Sequence, residues 1–265
     1  MADAASLFAE LLPADHILAG DRISEDYAHD EALGAEPCPP DAVLLPRDTA
    51  DAAAILRTAN EHAIPVTARG SGTGLSGAVV PRAGGIVVSF ERMNRVLEID
   101  TENHVAVVQP GVTLAELDEA TAANGLIYPV FPGEYSASLG GNVGTNAGGM
   151  RAVKYGVTRH QVLGLEAVLA TGEIIRTGGR YVKTSTGYDL TQLIVGSEGT
   201  LALATEVIVR LYPRAQHQAT VMAPFATLEQ ITSAVPRIVA SGIGPLILEY
   251  IDTLTMGAAC RLVGL

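Results

Sequence analysis

Arg69-Gly-Ser-Gly-Thr-Gly-Leu-Ser-Gly77 follows directly on a short apolar run, Ile64-Pro-Val-Thr-Ala68. Glycine at 70, 72 and 74 lets the backbone turn through positive φ and removes Cβ atoms that would hold a ligand away. Successive N–H groups in such a loop converge on an anion, most often a phosphate. Gly72-x-Gly74-x-x-Gly77 also matches the dinucleotide fingerprint, in which the glycine turn opens a helix that carries the pyrophosphate. Here Ala78-Val-Val-Pro-Arg-Ala-Gly-Gly85 comes next. Pro81 and the Gly84-Gly85 pair stop any helix begun at Gly74, and Ile86-Val-Val88 reads as a strand. The nicotinamide reading fails for want of its helix. Two readings stay open: a glycine-rich hairpin with no ligand, and a phosphate loop working through its amides alone, without a helix dipole.

A second cluster alters the balance. Residues 132–149 read Pro-Gly-Glu-Tyr-Ser-Ala-Ser-Leu-Gly-Gly-Asn-Val-Gly-Thr-Asn-Ala-Gly-Gly. A core segment is not built this way, because glycine fills no volume, and a flexible linker would not carry Leu139 and Val143. A backbone shaped for close approach to a large ligand remains, with Ser136, Ser138, Asn142 and Asn146 as side-chain donors and acceptors. A third element, Val195-Gly-Ser-Glu-Gly-Thr200, sets Glu198 between two glycines before a strand; by itself it reads as a tight turn. Two glycine loops separated by one capped helix suit an extended ligand with a pyrophosphate and a ring system, and FAD has both.

The 265 residues are 48% hydrophobic and 17% charged, with a net charge of −12. This supports a buried core in one or two domains and argues against a nucleic-acid partner, which needs clustered Lys and Arg. No apolar run is long enough for a transmembrane segment. No Lys or Arg precedes Arg22, so the basic start of a secretion signal is missing, and a cytoplasmic protein is the default. Cys38, Cys260 and the six scattered histidines show no metal spacing; no metal is expected. Glu134, Glu198, Asp189, Lys154, Tyr155 and Tyr188 are the acids and bases near the motifs. None qualifies as catalytic, so the catalytic residues are unknown.

Along the chain, residues 1–36 read as a helical lead-in with a stripe of Leu7, Phe8, Leu11 and Leu12. Strands are expected near 43–45, 64–68, 86–90, 96–99, 104–108, 163–170, 173–177 and 201–211. Asp48-Thr49 starts a helix to about His62. Thr113-x-x-Glu116 is a capping box opening a helix over 113–124, stopped by Gly125. Residues 126–160 show little periodicity. A strand at 218–223, a helix at 227–240, a strand at 246–250 and an amphipathic helix from Ile251 to Leu265 suggest the start of another unit. That last helix needs something to bury its apolar face, which favours a fragment of a longer protein. The fold class is α+β.

Pro65 to Gly77, Met93-Asn-Arg95, Gln109-Pro-Gly111, Gly140 to Gly149, Lys154-Tyr-Gly156, Gly187-Tyr-Asp-Leu190 and Val195 to Thr200 together resemble the FAD-binding domain of the vanillyl-alcohol oxidase (PCMH-type) flavoproteins. Within that family the wording is most similar to the glycolate oxidase subunit, D-lactate dehydrogenase and D-2-hydroxyglutarate dehydrogenase branch. The resemblance covers roughly residues 40–213. It implies a two-lobed PCMH-type FAD-binding domain at 37–213, with lobes of about 37–100 and 101–213, and the start of a C-terminal α+β cap domain at 214–265. Carried over by motif, the stretch from Arg69 through Gly70, Ser71, Gly72, Thr73 and Gly74 would hold the pyrophosphate, with Leu75 and Ser76 completing the turn. Pro132, Gly133, Ser138, Gly141, Asn142, Ala147, Gly148 and Gly149 would line the flavin and ribityl chain. Glu198, Gly199 and Leu203 would close the cleft. Some relatives attach FAD through a histidine where Thr73 stands, so non-covalent FAD is implied. The resemblance further implies hydride transfer from a small 2-hydroxy-acid substrate in the full-length enzyme to an unidentified electron acceptor, and admits a homodimer. Substrate and metal residues would lie in the cap beyond Leu265.

Overall fold

The structure is a computed structural model describing residues 4–264. The first lobe contains α1 (Ala4–Phe8), β1 (Ile17–Leu18), β2 (Ala42–Leu44), α2 (Thr49–Glu61), β3 (Val66–Arg69) and β4 (Ile86–Ser89). The strands form one sheet in the order β1-β2-β4-β3, and β2 and β3 both run parallel to β4. β2 and β4 are buried along their whole length, as continuous Val/Ile/Leu strands are when both faces of a sheet are covered. Asp48 caps α2 by accepting the Asp51 amide, and Ala52, Ile55, Leu56 and Ala59 bury one stripe of that helix. Because β3 and β4 are parallel, residues 70–85 must carry the chain back along the sheet. The hairpin reading of the glycine loop is thereby excluded.

Of the expected helical lead-in, residues 1–3 lie outside the described residues, and the described part is α-helical only over α1. Pro13 ends any continuation, and 3-10 turns follow at 14–16, 20–22 and 25–28. The apolar stripe nevertheless packs as a unit: Phe8 and Leu12 are buried in the first lobe's core.

The second lobe contains β5 (Val96–Asp100), β6 (Val105–Val108), α3 (Leu114–Ala122), β7 (Leu126–Ile127), α4 (Leu139–Thr145), α5 (Ala152–Tyr155), β8 (Val162–Leu169), β9 (Ile174–Gly178), α6 (Leu190–Ile194), β10 (Ala202–Arg210) and β11 (Tyr212–Pro213). Five strands form an antiparallel sheet ordered β5-β6-β10-β8-β9, and β11 pairs with β7. Burial alternates along most of β10, the mark of a sheet with one covered face. The capping box forms as the sequence predicts: Thr113 Oγ1 accepts the Glu116 amide, and Glu116 accepts the Thr113 amide. The irregular stretch expected at 126–160 is instead broken by α4 and α5.

The lobes share a core. Val168 of β8 and Leu203 of β10 pack with Ile55, Ile86 and Val88 of the first lobe. Thr49 Oγ1, at the start of α2, donates to Glu166 Oε1 of β8 at 2.5 Å, and Arg57 Nη2 donates to the Gly172 carbonyl at 3.3 Å. Arg176 pairs with the same Glu166, but its side chain is 71% exposed, so solvent screens most of that attraction.

Beyond Arg214 the chain carries α7 (Leu228–Ala240) and α8 (Thr253–Val263), neither with a buried residue. The strands expected at 218–223 and 246–250 do not form. Those segments are mostly exposed and have no partner strand among the described residues, and an unpaired strand leaves its amides without acceptors. Leu265, the expected end of α8, lies outside the described residues.

Glu166 is one polar pin between the lobes. Glu166→Ala should lower stability by about 1–3 kcal/mol, a fall in Tm of several degrees, with Glu166→Gln losing less because it keeps an acceptor for Thr49. Thermal denaturation of the two variants measures the difference, and equal losses would show that the charge pair, not the Thr49 bond, matters.

Candidate functional site

The glycine loop leaves the carboxyl end of β3, the end of a parallel strand where ligands gather in open sheets. Arg69, the last residue of β3, is buried at 7% exposure. Its guanidinium folds under the loop, with Nη1 donating to the His29 carbonyl at 2.8 Å and the group lying 5.5 Å from the Tyr27 ring centre. Gly72 (φ +75°) crosses directly over it: a Cβ there would stand 2.1 Å from Arg69 Nη2. A Cβ on Gly70 would stand 2.1 Å from Ser138 Oγ. The first two glycines are thus fixed by what lies behind the loop. Among the described residues, the amides of Gly72, Thr73, Gly74, Leu75 and Ser76 donate to no protein acceptor.

The second cluster meets this loop through Ser138. Its hydroxyl oxygen accepts the Ser71 amide from the first lobe and the Gly141 amide from the second, each at 3.2 Å, and Ser138 itself is buried. With both N–H bonds arriving at oxygen, the hydroxyl proton stays available to a third group. Ser138 caps α4, a helix built from Leu-Gly-Gly-Asn-Val-Gly-Thr. That helix start is not free for an anion. The Leu139 amide donates to Val112, the Gly140 amide to Pro110 and the Gly141 amide to Ser138. The free donors are those of the first loop.

An apolar cleft runs between the lobes, lined by Ala68, Arg69, Gly70, Phe90, Pro110, Gly140, Gly141, Val143, Ser197, Glu198, Gly199, Ala202 and Leu203 among others. Of the sequence-predicted residues it brings together Arg69, Gly70, Gly141, Glu198, Gly199 and Leu203. Glu198 holds a positive φ of 52°, rare for a residue with a side chain. Its amide donates to the Gly144 carbonyl at 2.9 Å, and its Oε1 accepts Ser76 Oγ at 3.4 Å. The third element thereby touches both glycine segments. Asn142 Nδ2 and Ser197 Oγ are buried without a partner among the described residues, and Ser197 lines the cleft.

Other predicted residues stand apart. Pro132, Gly133 and Ser136 are exposed and outside the cleft lining; the Ser136 amide donates to Glu134, whose carboxyl is held below its usual range by that bond. Asn146 takes the left-handed C-cap of α4, and its Oδ1 accepts the Arg159 amide at 2.9 Å; that oxygen is structural. Ala147 accepts both the amide and the hydroxyl of Thr158. Gly148 packs against Val157, and Gly149 is pressed on the Phe131 carbonyl. Phe90, Pro110 and Ala202 line the cleft without having been singled out. Gln109-Pro-Gly111 carried the signal for Pro110; Phe90 and Ala202 read only as strand residues. Arg69 and Glu198 are the ionisable side chains lining the cleft. Burial works against the Arg69 charge, and among the described residues no carboxylate stands within ion-pair distance of it.

An α/β lobe docked on an antiparallel lobe, with glycine segments of both meeting at the seam, is the architecture of the FAD-linked oxidases. Solved structures share it: an alkyldihydroxyacetonephosphate synthase superposes with a TM-score of 0.78 at 21% identity, over 91% of this chain and 46% of that one, and p-cresol methylhydroxylase with 0.71 at 21%, over 80% and 43%. The FAD binding domain matches residues 40–178, and the C-terminal domain of FAD linked oxidases matches residues 214–265. The chain belongs to this FAD-linked oxidoreductase family. It is 62% identical to an uncharacterized FAD-linked oxidoreductase of Mycobacterium tuberculosis over 97% of this chain and 56% of the relative. It is 47% identical to the glycolate oxidase subunit GlcD of Bacillus subtilis over 82% and 46%, and 48% identical to a D-lactate dehydrogenase of Archaeoglobus fulgidus over 79% and 47%. The chain spans about half the length of these relatives. Among the described residues no group of three His, Cys, Asp or Glu could hold a metal ion, and no helix is long and apolar enough to cross a membrane.

Two substitutions test the seam. Ser138→Ala removes a helix cap and the bond between lobes; it should cost about 0.5–2 kcal/mol of stability and weaken FAD binding roughly tenfold. Gly72→Val should weaken FAD binding further, because the side chain displaces either Arg69 or the loop. Flavin fluorescence titration of each apoprotein reads both effects; wild-type affinity in Gly72→Val would remove the loop from the site.

Proposed function

We propose that this chain is the FAD module of a 2-hydroxy-acid oxidoreductase of the glycolate or D-lactate kind. The observation that carries the reading is the seam at Ser138, where a loop with five free amides leaves the cleft lining at Arg69 and Gly70 and is bonded to the glycine segment of the other lobe. The donor set fits FAD. The amides of 72–76 and the Arg69 charge suit a pyrophosphate, Ser138, Asn142 and Ser197 suit the hydroxyls of the ribityl chain, and the apolar lining suits a ring system. Bound flavin supplies the two-electron acceptor for oxidation of a CH–OH group. This chain's part is to hold the pyrophosphate, orient the ring system and exclude water from the seam. Names of the similar proteins support a small hydroxy acid as substrate. In this reading the FAD-binding unit is residues 37–213, and residues 214–265 begin the cap. Thr73, not a histidine, in the loop supports non-covalent FAD, and the free thiols Cys38 and Cys260 suit a reducing, cytoplasmic compartment.

A second reading is that the 265-residue chain holds FAD and turns nothing over. It is favoured by the cleft lining, where among the described residues Glu198 is the one carboxylate and its Oε1 already accepts the Ser76 hydroxyl.

The purified chain should be yellow, and acid denaturation should leave its FAD in the supernatant; flavin in the pellet would contradict non-covalent binding. Excess FAD at a hundred times Kd should add about 2.7 kcal/mol of stability, a rise in Tm of several degrees, and an unchanged Tm would count against the site. Dye reduction with glycolate, D-lactate or D-2-hydroxyglutarate separates the two readings: turnover by this chain would exclude the second.

A further inference from the structure

The stretch Tyr27–Ala32 lies more than forty positions upstream of most of the glycine loop and carries none of its motifs, yet it is fastened to that loop at several points. The Glu31 amide donates to the Gly74 carbonyl at 2.9 Å. Asp30, only 8% exposed, accepts the Gly77 amide on Oδ2 at 2.9 Å and the Ala32 amide on Oδ1 at 3.0 Å. The His29 carbonyl accepts Arg69 Nη1, and Tyr27 lies over the same guanidinium. Tyr27 is held neutral, pushed up to about 12 by burial and by Glu91, and donates to Glu91 Oε2 at 3.0 Å.

We infer that Asp30 is a positioning residue for FAD. Its carboxylate ties the far end of the glycine loop to the Tyr27–Ala32 strap, so that the free amides of residues 72–76 are held in one orientation before the pyrophosphate arrives. The geometry separates the loop's amides into two sets. Ser71 and Gly77, at the ends, are engaged by Ser138 and Asp30. The five between them are free. An anchored loop presents its donors without ordering at the moment of binding, and that preorganisation appears as affinity. A carboxylate so near a phosphate loop would otherwise repel the ligand; here its oxygens accept two N–H groups, and the Arg69 charge offsets part of its field. Asp30 is outside the cleft lining, so its effect is on FAD binding and not on the reaction.

This inference rests on the FAD reading, and the test distinguishes the two. FAD is titrated into the flavin-free 265-residue chain as wild type, Asp30→Asn and Asp30→Ala, with the apoprotein Tm recorded for each. Wild type that binds no FAD defeats the FAD reading itself. With wild type binding, Asp30→Ala should raise the Kd roughly tenfold or more, and Asp30→Asn, which keeps one carbonyl-type acceptor, should fall between. A merely structural carboxylate would lower the apoprotein Tm and leave the Kd alone. A Kd within about twofold of wild type in both variants overturns the inference, and if Asp30→Ala does not fold, Asp30→Asn decides by the same threshold.

Discussion

One buried hydroxyl oxygen joins the two halves of this fold. Ser138 Oγ takes an N–H from Ser71 in the parallel lobe and another from Gly141 in the antiparallel lobe. The approach is possible only because residue 70 lacks a Cβ, which would stand 2.1 Å from that oxygen. The same hydroxyl caps α4, so helix start, loop anchor and lobe contact are one interaction. Removing it leaves one N–H group of each lobe without its acceptor, which is why a single oxygen constrains so much of the seam.

The seam is held open by apolar packing elsewhere. Val168 and Leu203 are inserted into the first lobe's core, and α2 lies against β8 with Thr49 bonded to Glu166. A shared core makes the relative position of the lobes a property of the folded chain, since close-packed interiors do not deform continuously. The cleft between them is therefore preformed, as most small-molecule sites are. The positive φ at Glu198 belongs to the same logic: strain at one residue persists where surrounding contacts over-determine the backbone, here the Gly144 carbonyl and Ser76.

Much of this is written locally. Asp48 and the Thr113-x-x-Glu116 box announce their helices through the bonds they make. Pro81 and Gly84-Gly85 exclude a helix after the first loop. What misleads is α4, three of whose seven residues are glycine. Glycine's poor helix propensity reads as irregular chain. The contrary signal was present in Leu139 and Val143, four apart and both buried, but two residues are too few to establish a period. Tertiary bonds from Val112 and Pro110 complete the helix, and those partners are invisible in sequence. The parallel pairing of β3 with β4 is likewise non-local, and it alone decides between hairpin and crossover. Asp30 could not be found by motif, because its role is to accept two backbone amides and any non-periodic stretch can supply such a residue.

An acidic chain that binds a dianion faces a general difficulty. With a net charge of −12, the long-range field repels a pyrophosphate, and a cluster of Lys and Arg would be the direct remedy. The cleft lining has one cation, Arg69, and it is turned beneath the loop. The remaining positive potential comes from backbone amides, which are neutral, fixed and close. Such dipoles act at contact distance, where solvent is excluded and a small partial charge has a large effect, and they add nothing to the charge seen from afar. They do require a backbone that cannot relax away from its geometry. Glycine provides the close approach and removes the rigidity; Ser138, Arg69 and the Asp30 strap restore it from behind. In the proposed site the glycines and their anchors are thus one device: the anchors fix the amides that the glycines leave free.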